Sequence, residues 1–147
     1  MRSSKEFNEH ILLGRLESKI YYEWCQKKGI SYSLLQILDL LYEYPDGVEA
    51  KFISETMFIY KQTLTGLLKQ LHNNGYIKTE KDIIDKRRKL ISLTDKGTIY
   101  VESILNDLYK KEDLVFNCLN DEEKITFNKL YKKIVTNLQK ELGEESE

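Results

Sequence analysis

The run Asp85-Lys86-Arg87-Arg88-Lys89-Leu90-Ile91-Ser92-Leu93-Thr94-Asp95-Lys96-Gly97 constrains this chain more than any other stretch. It sets concentrated positive charge directly ahead of an alternating segment, Leu90, Ser92 and Thr94 against Ile91 and Leu93. Alternation at period two marks a strand whose two faces meet different surroundings. Residues 76–80 supply a partner strand, so 76–80 and 89–93 pair into a ribbon with 81–88 as its charged tip. Of the 23 basic residues only four are arginines, at positions 2, 15, 87 and 88. Two of them adjacent at a loop tip therefore stand out. Arg fits a narrow, electronegative DNA minor groove better than Lys does, through its weaker hydration and planar fork.

Upstream, residues 59–75 read as a helix ending at Gly75. Leu64, Leu67, Leu68 and Leu71 fall at n, n+3, n+4 and n+7, which fixes one apolar stripe against a core. The opposite face is Gln62, Thr65, Gly66, Lys69 and Asn73. An amide, a hydroxyl, a glycine and an ammonium on one face can approach DNA closely and offer donors to base edges and phosphates. Gly66 costs about 1 kcal/mol of helix propensity against Ala.

This helix, the Asp85-x-Arg87 tip and the spacing to Leu93-Thr94-x-x-Gly97 together resemble the winged helix-turn-helix of the MarR family of bacterial transcription regulators. The resemblance runs from about Ile30 to the acidic end. It implies that Asp85 braces the wing by pairing with an arginine and that Arg87 enters the minor groove. Lys61, Gln62, Thr63, Thr65, Lys69, Lys86, Arg87 and Arg88 are the DNA-contacting residues it implies, although Arg88 reads equally well as a solvated surface charge. Gly66 is a departure, since many members carry a basic residue there. Members also bind small phenolic or lipophilic effectors in an aromatic cleft, for which Tyr21, Trp24, Tyr32 and Tyr42 are the candidates. Packing is the plainer role for each of these rings.

The formal net charge of −1 argues against a nucleic-acid partner until it is divided along the chain. From 61 to 89 the basic residues are 61, 69, 78, 81, 86, 87, 88 and 89, against acids at 80, 82 and 85. The stretch expected to face DNA is thus the most basic part of an otherwise acidic molecule. Glu141, Glu144, Glu145 and Glu147 make an acidic end expected to fray.

The fold class is mainly α with a small two-stranded β-wing, a winged helix-turn-helix plus a helical dimerisation region. The periodicity predicts a first helix over 4–28 that buries Leu13, Leu16, Ile20 and Trp24 and stops at Gly29. Ser33 is expected to cap a helix over 34–44, followed by a turn at Tyr44-Pro45-Asp46-Gly47, which holds the only proline. Residues 49–57 form the first helix of the helix-turn-helix, with Phe52 and Ile53 inward. Two final helices, 95–119 and 121–142, carry the stripes Val101, Leu105, Leu108, Val115, Leu119 and Phe127, Leu130, Ile134, Leu138. Residues 33–95 are then the DNA-binding domain, and 1–32 with 96–147 the dimerisation region. Small operators are usually read by two-fold dimers, so a homodimer on an inverted-repeat double-stranded operator is expected.

Other classes drop out. At 147 residues and 41% hydrophobic content the chain can bury a real core, and no apolar run approaches bilayer-spanning length. The first residues lack a signal-peptide core, so a cytoplasmic protein is expected. Cys25 and Cys118 form no CxxC pair, and His10 and His72 have no partners at metal-ligand spacing, so no metal or cofactor is expected. No phosphate loop, zinc-protease histidine pair or nucleophile elbow is present, which points away from an enzyme. Two alternatives remain from the residues: a winged-helix protein-interaction module, and a thiol-based redox regulator working through Cys25 or Cys118.

Overall fold

Local side-chain capping decides where several of the helices begin. The computed structural model describes residues 4–143, so Arg2, Glu144, Glu145 and Glu147 lie outside the described residues. The order is α1 (Lys5–Lys27), α2 (Tyr32–Glu43), α3 (Ala50–Met57), α4 (Lys61–Asn73), β1 (Ile77–Lys81), β2 (Lys89–Leu93), α5 (Asp95–Phe116) and α6 (Asp121–Leu142). The fold class is the expected one. Ser4 starts α1 by accepting the Phe7 N–H, and Asn120 with Glu123 forms a reciprocal capping box on α6. Ser31, not Ser33, starts α2. Its extended backbone lets the hydroxyl reach the Leu34 N–H, whereas Ser33 already lies in the first turn. Such a cap contributes about 1 kcal/mol.

The chain forms two compact units, one ending at Leu105 and the other beginning at Asn106. In the first, α2 is the centre: Leu34, Leu35, Ile37, Leu38, Leu40 and Leu41 are all buried. Around it Ile53 of α3, Leu64 and Leu71 of α4, Ile77 of β1, Ile91 of β2 and Val101 and Leu105 of α5 complete the core. Apolar residues on three helices and both strands thus converge on one helix that is apolar on most sides.

Several expectations about burial need correction. Leu13, Leu16 and Ile20 of α1 are more than half exposed, because only the last turns of α1 meet the unit, through buried Cys25 and half-buried Tyr21 and Trp24. Phe52 sits at the rim, its ring edge-on to Tyr44 at 5.2 Å, while Ile53 alone goes fully inward. Helix α5 stops at Phe116 rather than 119, since Cys118 and Leu119 donate to Val115 and Phe116 in a tightened last turn. Val115 lies open. On α6 no residue is buried, and Phe127, Leu130, Ile134 and Leu138 are exposed.

The sheet is antiparallel, with Ile77 opposite Leu93 and Lys81 opposite Lys89. Strand β1 begins one residue later than expected. The other edge of β2 is met by Val48, whose N–H and C=O exchange hydrogen bonds with Ile91 at 2.9 and 2.8 Å. Flanked on both edges, β2 buries Ile91 and Ser92 together instead of alternating. Gly47 makes this approach workable: it has φ +89°, and a Cβ there would press on the Ile91 carbonyl.

The Thr94-x-x-Gly97 spacing proves to be a knot between elements. Thr94 donates through Oγ1 to Gly75 O at 2.6 Å and through its N–H to Tyr76 O at 3.0 Å, and Oγ1 accepts the Gly97 N–H at 3.0 Å. Gly97 lies so close under Tyr76 that a Cβ would collide with the Tyr76 carbonyl. Gly97→Ala should therefore destabilise the fold by about 3 kcal/mol, at the upper end of overpacking costs. Gly66→Ala, where a Cβ meets nothing within 4 Å, should instead stabilise by about 1 kcal/mol. Urea denaturation of the two variants checks both signs.

Candidate nucleic-acid interface

Helices α3 and α4 are joined by a tight turn in which Phe58 adopts φ +53°. A left-handed non-glycine residue holds there because Ser54 ties the turn at both ends: its carbonyl accepts the N–H of Phe58 and of Ile59, and its hydroxyl donates to Ile59 O at 2.6 Å. No side chain caps the first turn of α4. Lys61, Gln62, Thr63, Thr65, Gly66, Lys69 and Asn73 are all exposed, while Leu64 and Leu71 are buried and Leu67 and Leu68 half-buried. The Thr65 hydroxyl donates to Lys61 O at 2.9 Å, which leaves its oxygen as an acceptor. At the far end His72 meets Thr79 of β1 at 2.9 Å, and the Lys96 ammonium reaches Asn74 O at 2.7 Å while lying over the Tyr76 ring. A cation there suits the negative end of the helix.

The wing tip, 82–88, is closed by its own hydrogen bonds. Asp82 N–H donates to Arg88 O, and Arg88 N–H to Asp85 O, at 3.0 and 2.9 Å. The two aspartates each turn the backbone ahead of them: Asp82 Oδ1 accepts the Ile84 N–H, and Asp85 Oδ1 the Arg87 N–H. Asp85 therefore braces the wing through backbone and not through an arginine head group. The arginine pairing belongs to Arg88, whose guanidinium meets Asp82 Oδ2 at 3.1 Å and Glu49 Oε2 at 3.1 Å. Glu49 is the residue that opens α3, so Arg88 fastens the tip to the helix-turn-helix. It is a paired cation, though its side chain stays about half exposed. Lys61, Lys69, Lys86 and Arg87 are exposed and pair with no carboxylate among the described residues.

Sequence reasoning missed two features here. One is the Glu49–Arg88–Asp82 bridge, whose partners lie 39 positions apart on the Glu49 side and carry no local pattern. The other is the pair Ile83 and Ile84, 93% and 96% exposed at the tip. Adjacent branched apolar residues inside an otherwise charged loop were the available signal.

The aromatic candidates fall into separate contacts. Tyr21 and Tyr32 lie 5.9 Å apart, the Lys28 ammonium sits over Trp24, and Tyr42 donates to Glu102 Oε1 at 3.1 Å. The hydrogen bond to Glu102, and that carboxylate's negative charge, push the Tyr42 phenol above its ordinary pKa. A surface hollow of about 510 Å³ lies in the second unit, lined by residues including Asn120, Glu123, Thr126 and Phe127. Cys25 is buried, and burial pushes its thiol up, away from the reactive thiolate; Cys118 is exposed. Among the described residues no helix is long and apolar enough to cross a membrane.

No protein-family model matches the chain. The chain is 31% identical over 104 residues to the HTH-type transcriptional repressor YetL of Bacillus subtilis, a match spanning 70% of this chain and 62% of that protein, less than two thirds of its length. Its fold matches the MarR family regulator NMB1585 from Neisseria meningitidis with a TM-score of 0.80 at 22% identity, covering 95% of this chain and 97% of that one. It also matches MepR of S. aureus in a DNA complex, with a TM-score of 0.74 at 22% identity over 92% and 97% of the two chains. The chain shares the winged-helix fold of these solved regulators. The relatives are named as regulators of transcription, not as enzymes, as the sequence led one to expect.

The Glu49–Arg88 pair is testable in isolation. Both side chains are close to half exposed, so a double-mutant cycle of Glu49→Gln and Arg88→Ala by urea denaturation should give a coupling of about 0.5–1 kcal/mol. That coupling should shrink in concentrated salt. A zero coupling in dilute buffer would remove Arg88 as the fastener of the wing.

Proposed function

We propose that this protein is a sequence-specific DNA-binding transcription regulator that acts as a homodimeric repressor. The observation that carries the reading is Arg87: an exposed guanidinium free of any carboxylate among the described residues, on a tip whose backbone is held by Asp82, Asp85 and Arg88. A cation mounted this way, with no carboxylate partner among the described residues, suits the minor groove. On α4, Gln62 and Thr65 read base edges, while Lys61, Thr63 and Lys69 hold phosphates. Lys86 adds charge beside Arg87. Arg88 positions the wing, and Asp85 shapes its turn. The helix-turn-helix and wing, 33–95, bind DNA; 1–32 and 96–147 hold two copies together. Binding to chromosomal DNA places the protein in the cytoplasm, and a small aromatic or lipophilic effector near Tyr21, Trp24, Tyr32 and Tyr42 modulates it. Support comes from the fold shared with a protein solved on DNA and from the likeness to a named repressor.

Selection of bound duplexes from a random pool tests this directly. An enriched, salt-sensitive motif is the expected result, and no enrichment over the starting pool would defeat the reading. On the selected duplex, Arg87→Ala should weaken binding and lower the slope of log affinity against log salt by about 1 per subunit. An unchanged slope would remove Arg87 from the interface.

The dimer rests on apolar surface that one chain leaves open: Leu13, Leu16 and Ile20 on α1, and Leu130 and Ile134 on α6. Exposed apolar stripes of this kind mark association surfaces. The enriched motif should be an inverted repeat with half-site centres roughly 10 base pairs apart. Leu130→Asp should leave helicity intact but convert a dimer to a monomer in sedimentation at micromolar concentration, because an unpaired charge in an apolar interface costs several kcal/mol. A wild-type monomer would overturn the dimer.

A further inference from the structure

Ile83 and Ile84 stand side by side at the end of the wing, 93% and 96% exposed. Two branched apolar side chains there contribute no burial to the fold, and they are not carried on a loose loop. The Ile84 N–H is held by Asp82 Oδ1 at 2.9 Å, Asp82 is tied by backbone to Arg88, and Arg88 is tied by its head group to Asp82 and Glu49. The pair is a small apolar knob on a stiff mount. Around it Lys81, Lys86, Arg87 and Lys89 are exposed and pair with no carboxylate among the described residues.

An apolar point on a loop that carries these cations, and whose two aspartates are turned onto the loop's own backbone, complements one surface well: a duplex groove, with phosphates on both lips and stacked bases on the floor. We propose that Ile83 and Ile84 form a wedge that enters the minor groove beside Arg87 and partly unstacks one base step per half-site. This rests on the DNA-binding reading above and deepens it. The cations neutralise the lips while the isoleucines gain apolar contact with the base faces they separate. Because the mount is ordered before binding, little chain entropy is lost when the knob inserts. Unstacking is easiest at TA and CA/TG steps, so the wedge adds sequence preference at a position where no hydrogen bond reads the bases. The preferred site should therefore carry such a step where each wing lies, and the duplex should kink there away from the wedge.

The test uses the full chain and the duplex recovered from random-pool selection, with 2-aminopurine replacing adenine at each TA or CA step in turn. Binding of wild type should raise the fluorescence of one such step in each half-site. The double variant Ile83→Ser/Ile84→Ser should bind without that rise and with about ten-fold lower affinity, as expected for losing two apolar contacts. It should melt at the wild-type temperature. Its salt slope should equal that of wild type, since no cation is removed, whereas Arg87→Ala lowers the slope. Wild type that binds the selected duplex with no rise at any step, or a double variant that keeps the rise, would overturn the wedge. Binding to vesicles of anionic phospholipid that the double substitution abolishes, with no unstacking signal on DNA, would overturn it in favour of a membrane contact. If wild type enriches no duplex at all, the DNA-binding reading itself fails and the wedge falls with it.

Discussion

Four elements of the first unit meet at Thr94. Its hydroxyl and backbone reach the end of α4 through Gly75, the start of β1 through Tyr76 and the start of α5 through Gly97, and it directly follows β2. Each bond satisfies a backbone group that a chain reversal would otherwise strand. The close passage of Gly97 under Tyr76 sets how the last helix of the unit leaves the sheet, and the stack of Tyr76 on Tyr100 at 4.2 Å extends the same contact. The orientation of the ribbon relative to α4, and with it the direction in which the wing projects, follows from this one crossing.

How much of this was legible in the sequence depended on the range of the interaction. Helix α4 was read well because Leu64 and Leu71 repeat at helical spacing, and β2 because its residues alternate in type. What could not be read came from partners distant in sequence. Val48 closes the free edge of β2 and buries Ser92, yet a single valine in a loop carries no strand pattern. Glu49 claims Arg88 from across the chain, so an arginine expected to contact DNA or stand in solvent is paired, and Asp85, expected to pair with an arginine, accepts a backbone N–H instead. Periodicity also says that a stripe is apolar without saying what covers it. That is why Leu13, Leu16 and Ile20 of α1 were assigned to a core that a single chain does not provide.

The contrast between the helices is therefore physical. Helix α2 is apolar on most sides and disappears into its unit, while α6 has apolar residues along one side and buries none of them. Stability of the first unit rests on packing around α2. The second unit gains instead from local terms: the capping box at Asn120, the Lys111–Asp107 pair one turn apart, and the rings of Phe116, Phe127 and Tyr131 in sequence. Such local terms are each worth a few tenths of a kcal/mol to about 1 kcal/mol, so a helix of this kind stays ordered most securely when its open stripe finds a surface.

The double use of Arg88 changes what ionic strength means for this molecule. Ions compete for exposed pairs within a protein as well as for phosphates on a partner. Raising salt would weaken the guanidinium's hold on Glu49 and Asp82 at the same time as it weakens attraction to an anionic surface. If the wing meets DNA as proposed, its response to salt should be steeper than a count of its free cations suggests. For this chain, the ionic composition of the surroundings acts on the shape of the wing itself as well as on the charges the wing displays.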